Sequence, residues 1–237
     1  FAAHPFMSFQ ANPVDAFDFE PSFLLTTFKD WRAVADDFWT RGAAKSDPTP
    51  EVTALAVKLT SGLADETAKT KAIFDWVSSN VRYVNIVLGA GGWVPRDAGA
   101  VLSNRFGDCK DHVTLTRALL RAVGIRADYA LVNAASRYQA YALPAAQFDH
   151  IILYLPSLDR YIDPTNPNGE FDAQDIRLSD KPVMRFNGEE AVYTRIPKVD
   201  PDRTGVMLDV DIAIVADGKA TGTSTTTVSG SALPLLR

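Results

Sequence analysis

The chain has one cysteine, Cys109, in 237 residues. An intrachain disulfide and a thiolate metal cluster are therefore excluded, and the redox compartment cannot be read from cysteine usage. No basic run is present and the formal net charge is −5, so nucleic-acid binding has no electrostatic footprint. No apolar stretch approaches the ~20 residues that a membrane-spanning helix needs. No secretory signal is visible, and the chain begins at Phe1 rather than Met, which points to a mature or excised piece of something longer. Histidine is also scarce: His4, His112 and His150 are the only ones. Hydrophobic residues at 46% and charged residues at 22% describe an ordinary soluble globular chain, long enough to bury a core without staples.

Residues 1–26, rich in Phe and Pro, read as extended segments and loops. A first helix is expected over 28–39, with Thr27 and Asp30 resembling a capping box and Phe28, Trp31, Ala35 and Phe38 on one face. A second begins at Thr49-Pro50-Glu51, with Thr49 as N-cap and Pro50 in the first helical position. A third covers 66–80, with Ala72, Ile73, Trp76 and Val77 inward. Then come a short extended run, Val81 to Leu88, and a glycine-rich loop, Gly89-Ala90-Gly91-Gly92-Trp93-Val94-Pro95. A fourth helix follows Gly107-Asp108-Cys109 and stops at Gly124. Strands are expected at 127–134, 149–155 and 159–163. Beyond Pro182 the pattern is all β: Val206, Leu208, Val210, Ile212 and Ile214 alternate, Asp217-Gly218 turns, and 219–228 returns. This hairpin has too little sequence behind it to close a sheet. The expected organisation is an N-terminal segment over 1–45 (the tail of a preceding β-rich domain plus a helix), a core over 46–180, and a β-rich segment over 181–237 that starts a further domain.

A lone cysteine is most often a small buried hydrophobe. Cys109 differs because it sits where a loop becomes a helix, flanked by Asp108, Lys110 and Asp111. Unsatisfied backbone N–H groups and the positive helix end favour thiolate, the nucleophilic form. Lys110 adds to this, while Asp108 and Asp111 oppose it. A thiolate needs a base and an orienting group. His4 lies in irregular sequence. His112 is one helical turn from Cys109 and competes, though a solvated first-turn residue is its plainer reading. His150 opens the β-forming run Ile151-Ile152-Leu153-Tyr154-Leu155, which turns at Pro156-Ser157 and returns to Asp163. A two-residue turn pairs Leu155 with Leu158, Tyr154 with Asp159 and, counting outward, His150 with Asp163. Directly opposite residues share a face, with Cβ atoms about 4.5–5.5 Å apart. A carboxylate there would fix the imidazole tautomer and stabilise its protonated form.

The order Gly-Asp-Cys-Lys-Asp, then Phe-Asp-His before a hydrophobic strand, then Tyr-Ile-Asp-Pro-Thr resembles the transglutaminase-like superfamily of cysteine enzymes. Ala72-Ile73-Phe74-Asp75-Trp76-Val77, Val81-Arg82-Tyr83 and Leu119-Leu120-Arg121-Ala122-Val123-Gly124-Ile125 fit the same pattern, so the resemblance spans about 50–170. It implies an α+β, papain-like core with the cysteine helix packed on an antiparallel sheet, and β-rich flanks as in bacterial multidomain members. It implies Cys109 as nucleophile, His150 as base then acid, and Asp163 as orienter. Some members use an upstream tryptophan for the oxyanion, which makes Trp93 the candidate, with groove wall as its other reading and the Cys109 backbone N–H as a second donor. No cofactor and no metal are expected, and no calcium loop is recognisable. A protein or peptide substrate and a periplasmic or secreted location are implied.

The implied reaction is acyl transfer or hydrolysis at an amide through a thioester on Cys109. The segment Ala134 to Gln147 is expected to form one wall of the groove. The alternative from another class is a non-catalytic peptide-binding or scaffold module. A further one is an assembly subunit that pairs through the edges of residues 206–228.

Overall fold

The computed structural model describes residues 18, 23–86, 92–135, 137–140, 142–145 and 148–235. His4, Gly89, Ala90 and Gly91 lie outside the described residues. Five helices are described: α1 (Trp31–Gly42), α2 (Pro50–Thr60), α3 (Glu66–Asn80), α4 (Ala98–Asn104) and α5 (Cys109–Ala122). The strands are β1 (Arg82–Tyr83), β2 (Phe106–Gly107), β3 (Asp128–Val132), β4 (His150–Leu155), β5 (Arg160–Ile162), β6 (Pro182–Phe186), β7 (Ala191–Arg195), β8 (Gly205–Ile214) and β9 (Ala220–Ser229).

The N-caps show why the first helices start where they do. Asp30 Oδ1 accepts from Ala33 N at 2.8 Å, so α1 begins three residues later than expected from Thr27. Thr49 Oγ1 accepts from Val52 N at 3.3 Å, and Pro50 opens α2. Asp65 Oδ1 accepts from Ala68 N at 2.7 Å at the head of α3. Each side-chain oxygen satisfies a backbone donor that the helix itself leaves unpaired. Helix α4 was not anticipated. It is seven residues long, too short for an apolar stripe, and it stops at Arg105 in the left-handed region with φ 59°.

The main sheet has the order β5-β4-β3-β6-β7, and every pairing in it is antiparallel. Helix α5 packs against it with α2, α3 and α4 around it. Val113, Leu115, Leu119 and Leu120 of α5 form one core with Ile151, Leu153 and Leu155 of β4 and Met184 and Phe186 of β6. Residues 110–120 are buried without exception. The opposite sheet face buries Ala130, Val132, Ile152, Tyr154 and Tyr161 beneath Leu178 and Ile196. Strands β6 and β7 belong to this sheet, and Phe38 of α1 packs edge-on to Tyr129 and Phe186. The sheet thus extends past the boundary expected at residue 180, and α1 joins the core that was expected to begin at 46.

Strands β8 and β9 pair over ten rungs as a two-stranded ribbon. Its turn has Gly218 at φ 81°, and Val215 N donates to Lys219 O at 3.0 Å. Val206, Leu208, Val210, Ile212 and Ile214 lie on one face of it, and all are exposed.

Candidate active site

Cys109 is the first residue of α5, and Asp108 is its N-cap in extended conformation. The approach is tightly built. A Cβ at Gly107 would lie 2.5 Å from Asp111 Cβ and 3.0 Å from Arg96 Nη2, so only glycine lets the chain pass there. Asp111 is buried and accepts from Arg96 N at 2.8 Å, Nε at 3.0 Å and Nη2 at 2.9 Å. Lys110, also buried, pairs with Asp108. The polar run around the cysteine is therefore a folded network that fixes the start of the helix.

His150 and Asp163 meet across the β4–β5 hairpin, with Nε2 2.7 Å from Oδ2. The register differs from the simple count. Residues 156–158 form a 3-10 turn ended by Asp159 at φ 44°, so Leu155 pairs with Arg160 and Tyr154 with Tyr161. Extending that count places Asp163 opposite Ile152, two rungs from His150. A slip of two keeps side chains on their face, whereas a slip of one would reverse them. His150 and Asp163 are thus diagonal neighbours on one face rather than direct partners. Thr165 holds the other carboxylate oxygen, its Oγ1 donating to Oδ1 at 2.6 Å and its N at 3.1 Å.

The electrostatics of the pair follow from these contacts. Burial alone would lower the His150 pKa. The Asp163 charge and hydrogen bond, joined by a hydrogen bond and charge from Cys109, reverse that and raise it well above 6.5. Burial alone would raise the Asp163 pKa, but His150 and the two Thr165 donors bring it down to about 2. Because Nε2 is taken by Asp163, Nδ1 is the nitrogen left to exchange a proton with the thiol.

Tyr83 stands at the cysteine and was not singled out as a site residue from sequence. Its hydroxyl lies within electrostatic reach of Cys109. Burial, then the charges of Cys109 and Asp108, push its pKa up, so the phenol stays protonated. The signal available beforehand was its position three residues past α3 in an extended run. The contact itself requires β1 to pair in parallel with β2, which no local pattern announces.

The other sequence candidates lie elsewhere. Trp93 Nε1 donates to Asp37 Oδ2 at 3.1 Å and its ring packs edge-on to Phe38, so its N–H is committed to α1. Trp76 is half-buried beneath the Arg105 guanidinium. His112 is fully buried rather than solvated, with Nδ1 2.8 Å from Asp108 O and Nε2 3.0 Å from Val81 O. An open cleft of about 590 Å³ is bordered by Tyr83, His150, Asp163, Ala134, Asn166 and Arg177. Ala134 is the part of the expected 134–147 wall that borders it, and residues 136, 141, 146 and 147 lie outside the described residues. Among the described residues, no group of three or more His, Cys, Asp or Glu could hold a metal ion. No helix among them is long and apolar enough to cross a membrane.

A mixed α+β fold with a cysteine at the head of a buried helix, facing a histidine–aspartate pair on an antiparallel sheet, defines a class. Residues 53–152 match the model of the transglutaminase-like superfamily. The chain is similar in fold to a candidate protease from Parabacteroides distasonis, with a TM-score of 0.56 and 19% identity over 80% of this chain and 38% of that one. A candidate cysteine protease from Cytophaga hutchinsonii shares 24% identity over 51% of this chain and 40% of its own, with a TM-score of 0.37. The chain thus spans about two fifths of the length of these solved structures. No curated protein matches it.

Proposed function

We propose that the chain is a cysteine-dependent amide hydrolase or acyltransferase, with Cys109 as nucleophile, His150 as base and acid, and Asp163 as orienter. One observation carries this reading: the His150 imidazole, with Nε2 2.7 Å from Asp163 Oδ2, feels the charge of Cys109 at the head of α5 as well as that of Asp163. Thiolate on Cys109 attacks a carboxamide carbon, forming the C–S bond while the carbonyl electrons move to oxygen. That oxygen accepts from the Cys109 backbone N–H and the Tyr83 O–H. The protonated phenol turns its hydrogen to the new charge. The intermediate collapses, the C–N bond breaks, and His150 Nδ1–H protonates the departing amine. A second nucleophile then loses its proton to His150 and attacks the thioester, releasing the thiolate and regenerating the imidazolium.

Tyr83 is 45% exposed, so this side of the cleft opens to solvent and admits water or an amine as the second nucleophile. The reading includes a peptide or protein substrate and a periplasmic or secreted location.

Iodoacetamide tests the central point. Near neutral pH, alkylation of Cys109 is expected to be fast, and at least tenfold slower in His150→Ala. A rate like that of an ordinary thiol, unchanged by His150→Ala, would favour the scaffold reading. Release of ammonia or of a new amino terminus from a glutamine-rich protein, lost in Cys109→Ala, then separates deamidation from proteolysis.

A further inference from the structure

Tyr83 has weak local support for the task just given it. It sits on a two-residue strand and is nearly half exposed. Four links nevertheless tie residues 81–86 to the approach and first turn of α5. Arg82 N donates to Arg105 O at 2.9 Å, and Val84 N donates to Gly107 O at 2.8 Å. Ile86 N donates to Asp108 Oδ2 at 3.3 Å. Val81 O, an acceptor only, receives His112 Nε2 at 3.0 Å. The His112 ring also lies against the Tyr83 ring, with centroids 5.7 Å apart and planes 35° apart. His112 is one helical turn below Cys109, and it reaches 31 residues back along the chain to the carbonyl two residues before Tyr83. An apolar side chain would fill that space without gripping the strand.

We infer that His112 and Asp108 are positioning residues for the oxyanion donor: from either side of Tyr83 they clip residues 81–86 to the cysteine helix and hold the phenol over Cys109. The inference rests on Tyr83 acting as that donor. Neither residue touches the substrate, and the effect of each passes through the tyrosine.

Two probes make this testable, because alkylation by iodoacetamide forms no oxyanion whereas acylation by p-nitrophenyl acetate does. Tyr83→Phe should slow acylation about 100-fold, the loss that follows removal of one oxyanion donor, and leave alkylation within about threefold. His112→Phe should slow acylation by about tenfold or more, as a donor displaced by an ångström does, again sparing alkylation. Combined with Tyr83→Phe it should add nothing, since the clip then has no donor to place. Losses that multiply in the double variant, or unchanged acylation in a folded His112→Phe protein, would overturn the inference. Should His112→Phe fail to fold, Ile86→Pro decides. It removes the N–H that Asp108 accepts, on a partly exposed segment, and the same slowing and the same non-additivity are expected. Slow alkylation of the wild-type protein that is independent of His150 would instead sink the proposed function itself.

Discussion

Asp163 is the residue on which the electrostatics of the site turn. Its carboxyl, held down to about 2, stays charged throughout the working range and keeps the His150 pKa well above 6.5. Asp163→Asn should therefore move the alkaline limb of the alkylation pH profile down toward the ordinary histidine value, and an unmoved limb would exclude Asp163 as orienter. The same pair affects stability, with opposite signs at the two ends of the pH scale. The depressed Asp163 value contributes stability that is present above pH 3.8 and lost as the pH falls toward 2, worth on the order of 2 kcal/mol. The raised His150 value contributes stability that is complete below pH 6.5 and lost as the pH rises through its folded value. Urea titrations of wild type and Asp163→Asn across both windows check this. The three proposed site residues stood out beforehand because each sits at a marked local boundary, a helix start or a strand end. His112 was misread because α5 is written as a surface helix: Lys110, Asp111, Thr114, Thr116 and Arg117 look solvated, and all are buried with polar partners or neighbouring elements around them.

At the level of elements, two devices set the site. The first is the Arg96–Asp111 junction, which pins the segment before α4 to the first turn of α5 by three hydrogen bonds. Arg96→Ala leaves the Asp111 carboxylate buried without its cation. It should destabilise the fold by about 3 kcal/mol, the usual cost of orphaning one member of a buried pair, measurable as a lower urea midpoint. Reading the sequence for charge alone set Asp111 against the thiolate. The structure gives that charge to Arg96 first. The second device is the parity of the β4–β5 hairpin. A sequence count can misplace the turn by two residues and still put His150 and Asp163 on one face. A single residue inserted between Ile162 and Asp163 should turn the carboxylate to the other face and slow alkylation as His150→Ala does. The elements that stayed hidden are β2 and α4, which are too short to carry a period and exist because of what lies across from them.

For the whole molecule, the fold class, the central cysteine helix and the antiparallel sheet followed from the order of apolar patterns and the motif resemblance. The extent of the sheet did not, because β6 joins it by pairing with β3, more than 50 residues earlier, and β7 joins by pairing with β6. The β8–β9 ribbon stands apart in kind. It leaves Leu208 62% and Ile212 63% exposed on one apolar face, in a two-stranded arrangement that gains little from its own pairing. Leu208→Lys with Ile212→Lys should reduce binding of a hydrophobic dye and self-association. Cys109 alkylation and the main melting transition should stay where they are, because neither residue belongs to the core around α5.

The thiol count has a practical consequence. With one sulfhydryl in the chain, a reagent that consumes it reports on the head of α5 and on nothing else in the protein. Each equivalent taken up counts one accessible Cys109, so a preparation can be standardised by titration before its substrate is known. Any loss of that equivalent during storage measures oxidative wear at the proposed nucleophile.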